Sequence, residues 1–297
     1  MTAAADFSEI PPFVLFAGRN GQTVPFVFNS PHSGRHYPPR FLAMSRLDPL
    51  SIRRSEDCYV DELFSGALDV GATFLCANFP RAYLDANREP WELDPRMFRE
   101  RVPPYANTHS PRVMGGLGTL PRLVADGMDI YRHRLPLEEA MSRIEHYYMP
   151  YHATLRDLLY RTRTRFGHAI LIDCHSMPST IRTPQGNMSP DIVVGDRFGT
   201  SASSDLSRLA VSLLAARGFA VEQNRPYAGG FITEHYGRPA QDVHALQIEV
   251  NRGLYLDDDT LERSDGFDLL RQQLSEFIAD LVSFSADILP SRPMAAE

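Results

Sequence analysis

Residues 169–176 read AILIDCHS, four apolar residues leading straight into Asp173, Cys174, His175 and Ser176. So short and apolar a run reads as a buried strand, here one that delivers polar groups at its end. PFVFNS (25–30) follows the same pattern and runs into Pro31, His32, Ser33 and Gly34, while ATFLCANF (72–79), DIVVGD (191–196) and ALQIEVN (245–251) are further strands of this kind. Between them, apolar residues recur at three- and four-residue spacing. One stripe from Leu137 to Thr162 starts just after Pro136, which suits a first helical turn, and Pro150 is expected to kink or divide it. A second helix is expected over about 204–217, stopped by Gly218, and a third over about 265–288. Strands alternating with helices along the whole chain imply an α/β fold whose central sheet is covered on both faces, with its sites beyond the carboxyl ends of the strands. One domain spanning 1–297 is expected, with no repeat and no marked boundary. The stretch 89–134 differs, being rich in Pro, Gly and Arg and weakly periodic, so it reads as an irregular excursion suited to lining or covering a pocket.

Composition narrows the chemistry. A hydrophobic fraction of 43% supports a full core. All 30 basic residues are Arg, which removes every mechanism that needs an amine side chain, including Schiff bases and the P-loop lysine. A net charge of −7 argues against broad nucleic-acid binding, although a local Arg-lined pocket is compatible with it. Cys58, Cys76 and Cys174 form no CxxC pair, so neither a disulfide framework nor a cysteine zinc site is implied, and a reducing cytoplasm is the simple reading. The N-terminal residues do not pattern as a signal peptide and no apolar run is long enough to span a membrane, so a soluble cytoplasmic protein is expected.

The polar residues at the strand ends carry the functional signal. His32 and His175 follow or end apolar strands, and two imidazoles so placed can meet above one sheet to hold zinc; each alone would also fit a hydrogen-bonded structural histidine. A third ligand should be a carboxylate, and Glu56, Asp57, Asp61 and Glu62 in RRSEDCYVDELF are candidates as well as ordinary caps or solvated acids. Glu249 stands inside the apolar strand ALQIEVN, either as a general base or in an ion pair with an arginine such as Arg252. RAYLDANREP brings Arg81, Asp85, Asn87 and Arg88 together after a strand, where a guanidinium can hold a carboxylate bidentately or form an Arg–Asp network. PYAGGFITEHYGRP adds Gly229, Gly230, Thr233, His235 and Arg238, whose paired glycines allow close backbone approach to a ligand or a simple turn. No GxSxG or GxGxxG is present, and Cys174 should point away from His175, so serine, cysteine and dinucleotide chemistry fit poorly.

Taken in order, SPHSG at His32, ED-x-x-x-DEL at Asp57, R-x-x-x-D-x-NR from Arg81 to Arg88, DCHS at His175, VVGDRFGTSAS, GGFIT-x-HYGRP and HALQIEVNRG resemble the N-formylglutamate amidohydrolase family over about residues 26–255. That resemblance implies a three-layer α/β/α fold with a central mixed sheet, phosphorylase/hydrolase-like and of the zinc exopeptidase type. It implies one Zn2+ ion held by His32, His175 and a carboxylate of the Glu56–Asp57 pair, with Asp57 favoured because the family's matching segment has its constant Asp there. Glu249 becomes the base, and Arg81, Asn87, Arg88, Gly230, Thr233, His235 and Arg238 become substrate-side candidates. The implied activity is hydrolysis of an N-formyl or related N-acyl amino acid, within amino-acid metabolism and histidine degradation, on a small-molecule substrate. A carboxypeptidase-like peptidase acting on short peptides and a silent carboxylate binder are the competing readings. Two positions depart from the family pattern: Cys58 stands where the family has Trp, and Glu234 where glutamate-specific members have Arg. A negative charge at Glu234 is expected to oppose a doubly charged substrate if it faces the pocket.

Overall fold

In the computed structural model, residues 10–18, 20–124, 127–180 and 189–289 are described. The apolar runs become strands of one sheet: β1 (Phe13–Ala17), β2 (Phe26–Ser30), β3 (Thr73–Ala77), β4 (Ala169–Met177), β5 (Ile192–Gly195), β6 (Val221–Gln223) and β7 (Val243–Asn251). Their order is β1-β3-β2-β4-β7-β5-β6. The central four run parallel, β1 pairs antiparallel with β3, and β5 pairs antiparallel with β7, so the sheet is mixed. From β2 the chain goes to β3 on one side and then returns past β2 to β4 on the other. This reversal opens a crevice beyond the carboxyl ends of β2 and β4, where ligands bind in such sheets. Two strands escaped the sequence reading. β1 is a half-exposed edge that leaves Leu15 and Phe16 in solvent, and β6 has only three residues.

The helices are α1 (Pro39–Met44), α2 (Val60–Leu63), α3 (Pro111–Met114), α4 (Leu137–Arg143), α5 (Met149–Phe166), α6 (Ser204–Ala215), α7 (Phe231–Tyr236) and α8 (Phe267–Ile288). The expected division at Pro150 takes the form of a π turn over Ile144–Tyr148 between α4 and α5. Proline clashes with the carbonyl four residues back, and that residue, His146, lies within the widened turn. Ser203 caps α6 by accepting from the Leu206 N–H, and Gly218 with φ +90° follows its end. None of the described helices is long and apolar enough to cross a membrane.

Strand alternation sorts side chains into two cores. Ile170, Ile172 and Cys174 of β4 join Leu246, Ile248 and Val250 of β7 against α6 and α8. Val27, Leu171 and Ala245 face the other way, against α4, α5 and the excursion. Helices therefore cover both faces, as the three-layer expectation requires, and Cys174 indeed points away from His175. Within the second core Arg143 is fully buried, with its guanidinium 4.0 Å from the Tyr83 ring centre and bonded to the Tyr83 carbonyl, Tyr131 Oη and Glu139. Arg143→Ala removes those bonds, leaves a large void and strips Glu139 of its partner. We expect a loss of about 3–5 kcal/mol, read from denaturant midpoints.

Candidate active site

One face of the sheet turns polar at its carboxyl edge. Asn29, Asp173, His175, Gln247 and Glu249 point to the same side as Val27, Leu171 and Ala245, because alternate residues share a face. His175 and Glu249 are register partners on adjacent parallel strands. Asn29 donates to Asp173 Oδ1 at 2.7 Å and accepts from Tyr151 Oη, while Gln247 donates to Glu249 Oε1 at 2.8 Å. The sequence reading missed Asn29, Asp173 and Gln247. Their signal was the period-two polar pairing, Asp173 with His175 and Gln247 with Glu249, inside otherwise apolar strands.

Above this stripe the loops bring His32, Asp57 and His175 together, with one ligand atom from each within 4.8 Å of the others. His175 Nδ1 lies 3.0 Å and His32 Nδ1 3.3 Å from the same Asp57 oxygen. Each imidazole is held from behind: His32 Nε2 by Asp85 at 2.7 Å and His175 Nε2 by Asp173 at 2.9 Å. Carboxylates hold both Nε2 atoms while both Nδ1 atoms are turned toward Asp57, the arrangement in which outer carboxylates orient metal-ligating histidines. The other Asp57 oxygen is occupied by Ser176 Oγ at 3.1 Å and Arg252 Nη2 at 3.2 Å, leaving one oxygen for the cluster. His32 Nδ1 is buried and makes no hydrogen bond among the described residues. A buried, orphaned imidazole nitrogen beside a carboxylate oxygen fits a divalent cation, and two imidazoles with one carboxylate suit zinc.

Electrostatics point the same way. Burial opposes ionisation of Asp57, yet His175 and His32 hold it well below the usual carboxylate range. Burial likewise opposes a charge on His175, but Asp173, Asp57 and Glu249 favour one and hold it well above the usual histidine range. Asp85 is kept ionised against burial by Arg81, Arg88 and His32. Burial pushes Glu249 up to about 7, reinforced by Asp57 and opposed by His175 and Arg81, and a bound cation would pull it down. The site thus interleaves buried carboxylates with arginines and imidazoles, and Glu249 is the carboxyl whose ionisation burial opposes most visibly.

Glu56 does not join the cluster. It accepts from Tyr37 Oη at 2.5 Å and from Arg53 Nε at 3.1 Å, so the geometry selects Asp57 over its neighbour. Cys58 is buried in the core and bonds Glu56, away from the cavity. Asp61 and Glu62 pair with Arg35 at the surface.

The cluster opens into a cavity of about 550 Å³ whose walls include the excursion, through Arg112, Leu117 and Leu123, and the 226–230 loop. Arg81 uses Nε on Asp85, and its Nη1 and Nη2 make no hydrogen bond to described residues. Arg88 presents no free fork: its Nε donates to the Leu117 carbonyl, its Nη1 to the Asn87 carbonyl, and its Nη2 pairs with Asp85. Arg81 is thus the better bidentate donor. Asn87 Oδ1 accepts from the Ile232 N–H, and Gly230 lies so close that a Cβ there would fall 2.3 Å from Asn87 Nδ2. Three of the substrate-side candidates stand away from the large cavity. Thr233 is fully buried and reaches Gln247, His235 is exposed and stacks on Phe231, and Arg238 bonds carbonyls of its own loop. None of these three lines the large cavity; His235 and Arg238 line a smaller one instead. Glu234 also lies outside the large cavity, 61% exposed and paired with Arg197 at 2.6 Å, so its charge is partnered and does not line that cavity.

Fold and site together define a class: mixed-sheet α/β proteins with a two-histidine, one-carboxylate cluster beside a buried glutamate. Within that class, the chain belongs to the N-formylglutamate amidohydrolase family, whose model matches residues 24–256. It is 28% identical to an N-formylglutamate deformylase of Pseudomonas aeruginosa, over 89% of this chain and 95% of the relative, and 31% identical to one of Pseudomonas putida, over 68% and 71%. A crystal structure of N-formylglutamate amidohydrolase from Ralstonia eutropha superposes with a TM-score of 0.87 at 34% identity, covering 93% of this chain and 98% of that one.

Proposed function

We propose that this protein hydrolyses the amide of N-formylglutamate to formate and glutamate, with zinc held by His32, Asp57 and His175 and Glu249 as the general base. The observation that carries the metal is the convergence of buried His32 Nδ1, which makes no hydrogen bond among the described residues, and His175 Nδ1 on one Asp57 oxygen, while Asp85 and Asp173 hold the far sides of both imidazoles. The substrate comes from the Pseudomonas and Ralstonia relatives, and the Arg-lined cavity suits an anion. When bound, the ion supplies Lewis acidity that lowers the pKa of a water and polarises an amide carbonyl. Glu249 accepts the proton of the attacking water and returns it to the leaving amine. Arg81, backed by Arg88, orients the α-carboxylate, and Asp85 ties both arginines to His32 so that charge recognition and metal geometry are held as one unit. Three buried free cysteines suit work in a reducing cytoplasm.

The test is formate release from N-formylglutamate by the purified protein, before and after chelation. Activity should disappear with the metal and return with zinc. Cleavage of dipeptides in preference to formylated amino acids would favour an exopeptidase, and a full metal complement without turnover of either would favour a binding protein.

A further inference from the structure

Of the arginines around the large cavity, four are committed: Arg81 and Arg88 to Asp85, Arg197 to Glu234, and Arg252 to Asp57. Arg54 and Arg112 also line it, and neither side chain makes a hydrogen bond or ion pair among the described residues. An unpartnered cation facing a cavity is a recognition element waiting for an anion. Arg112 is the better placed of the two. It sits on α3, where Ser110 caps the helix by accepting from the Val113 N–H. The Leu117 N–H donates to the Arg112 carbonyl, and the Leu117 carbonyl accepts from Arg88 Nε. One short backbone link thus ties the segment bearing Arg112 to Arg88, which reaches the cluster through Asp85.

The cavity offers two separate sets of guanidinium groups, as a dicarboxylate needs. Asp85 bridges His32 to Arg81 and Arg88, which places that arginine pair one residue from the cluster. In N-formylglutamate the α-carboxylate is adjacent to the scissile amide, while the second carboxylate lies two methylenes farther out. Arg112 makes no ion pair with Asp85 among the described residues and stands on the excursion wall where the large cavity meets the smaller one lined by Glu89 and Glu92. We propose that Arg112 is a specificity-determining residue that binds the side-chain carboxylate of the substrate, an inference that rests on the amidohydrolase reading above. Independent support comes from Arg88: burial pushes its guanidinium down to about 9, Asp85 opposes this, and the like charges of Arg81 and Arg112 press the same way as burial. A second anion bound between Arg88 and Arg112 relieves that repulsion, whereas a neutral side chain leaves it in place.

N-formylglutamate and N-formylglutamine test this, since they differ in side-chain charge at nearly constant shape. The wild-type protein should favour the acid in kcat/KM, and Arg112→Gln should reduce that preference by about 30-fold or more, mainly through KM for the acid. Arg112→Lys should recover only part of it, because an ammonium lacks the planar fork. An unchanged acid-to-amide ratio in Arg112→Gln, or a ratio that collapses in Arg54→Gln instead, overturns the assignment of Arg112. A wild-type enzyme that cleaves both substrates equally also overturns it while leaving the amidohydrolase reading intact. Cleavage of neither substrate by the metal-loaded wild type overturns that underlying reading itself.

Discussion

Glu249→Gln is expected to lower kcat by about 10²- to 10⁴-fold while the protein keeps its fold and its full equivalent of metal. The substitution preserves shape and removes only the basic oxygen. Glu249 is buried in β7, one register position across from His175, and is not one of the three clustered ligand groups. Gln247 donates to Glu249 Oε1 and accepts from the Gly230 N–H, so the carboxylate is steered by a bond that also fixes the 226–230 wall. With one oxygen so engaged, the other is left to face the cavity. A competing structural role would require an ion pair, and the arginine first considered for it, Arg252, is committed to Asp57, Ser176 and the backbone of residues 54 and 56. Kinetics beside metal analysis separate the roles. Lost metal would make Glu249 a ligand, and near-normal turnover would remove it from the mechanism.

The fold was legible where burial writes a strong pattern. AILIDCHS and ALQIEVN became the two long central strands because each interior position is apolar on at least one face, and α6 and α8 followed their apolar stripes and Gly218. What escaped was decided by pairing at a distance. β6 has three residues and owes its place to β5, and β1 is held as an edge against β3. In the site, His32 and His175 could be found because a histidine at the end of an apolar run is conspicuous. Asp85 was not readable as a histidine support, since it reaches His32 only when separate segments meet and it looked like one member of a local Arg–Asp network, whereas Asp173 supports His175 from two residues earlier on the same strand. Thr233, His235 and Arg238 misled for the opposite reason. Their loop approaches the site through Gly230, but α7 then turns their side chains toward Gln247, Phe231 and the loop's own carbonyls.

Loss of the metal should follow from His32→Ala and from His175→Ala, each with activity reduced to background and the fold retained. Both imidazoles present Nδ1 to one Asp57 oxygen, and removing either leaves two donors where a stable site of this kind uses three. The carboxylate pair supplies the sharper comparison. Asp57→Asn keeps the contacts to Ser176 and Arg252 possible through its amide oxygen but replaces a charged donor with a neutral one, so metal affinity should fall by about 10²-fold or more. Glu56→Gln should leave metal content intact, because Glu56 spends its oxygens on Tyr37, Arg53 and Cys58; its cost should appear in thermal stability. Asp85→Asn divides the same question one step farther out. An amide can still accept at His32 Nε2, yet it no longer neutralises Arg81 and Arg88, so it should weaken the metal less than Asp57→Asn while disturbing substrate affinity more. If Glu56→Gln empties the site and Asp57→Asn does not, the ligand set is wrong. If His32→Ala, His175→Ala and Asp57→Asn all keep a full equivalent of metal, the ion is held elsewhere and the orphaned His32 Nδ1 needs another partner.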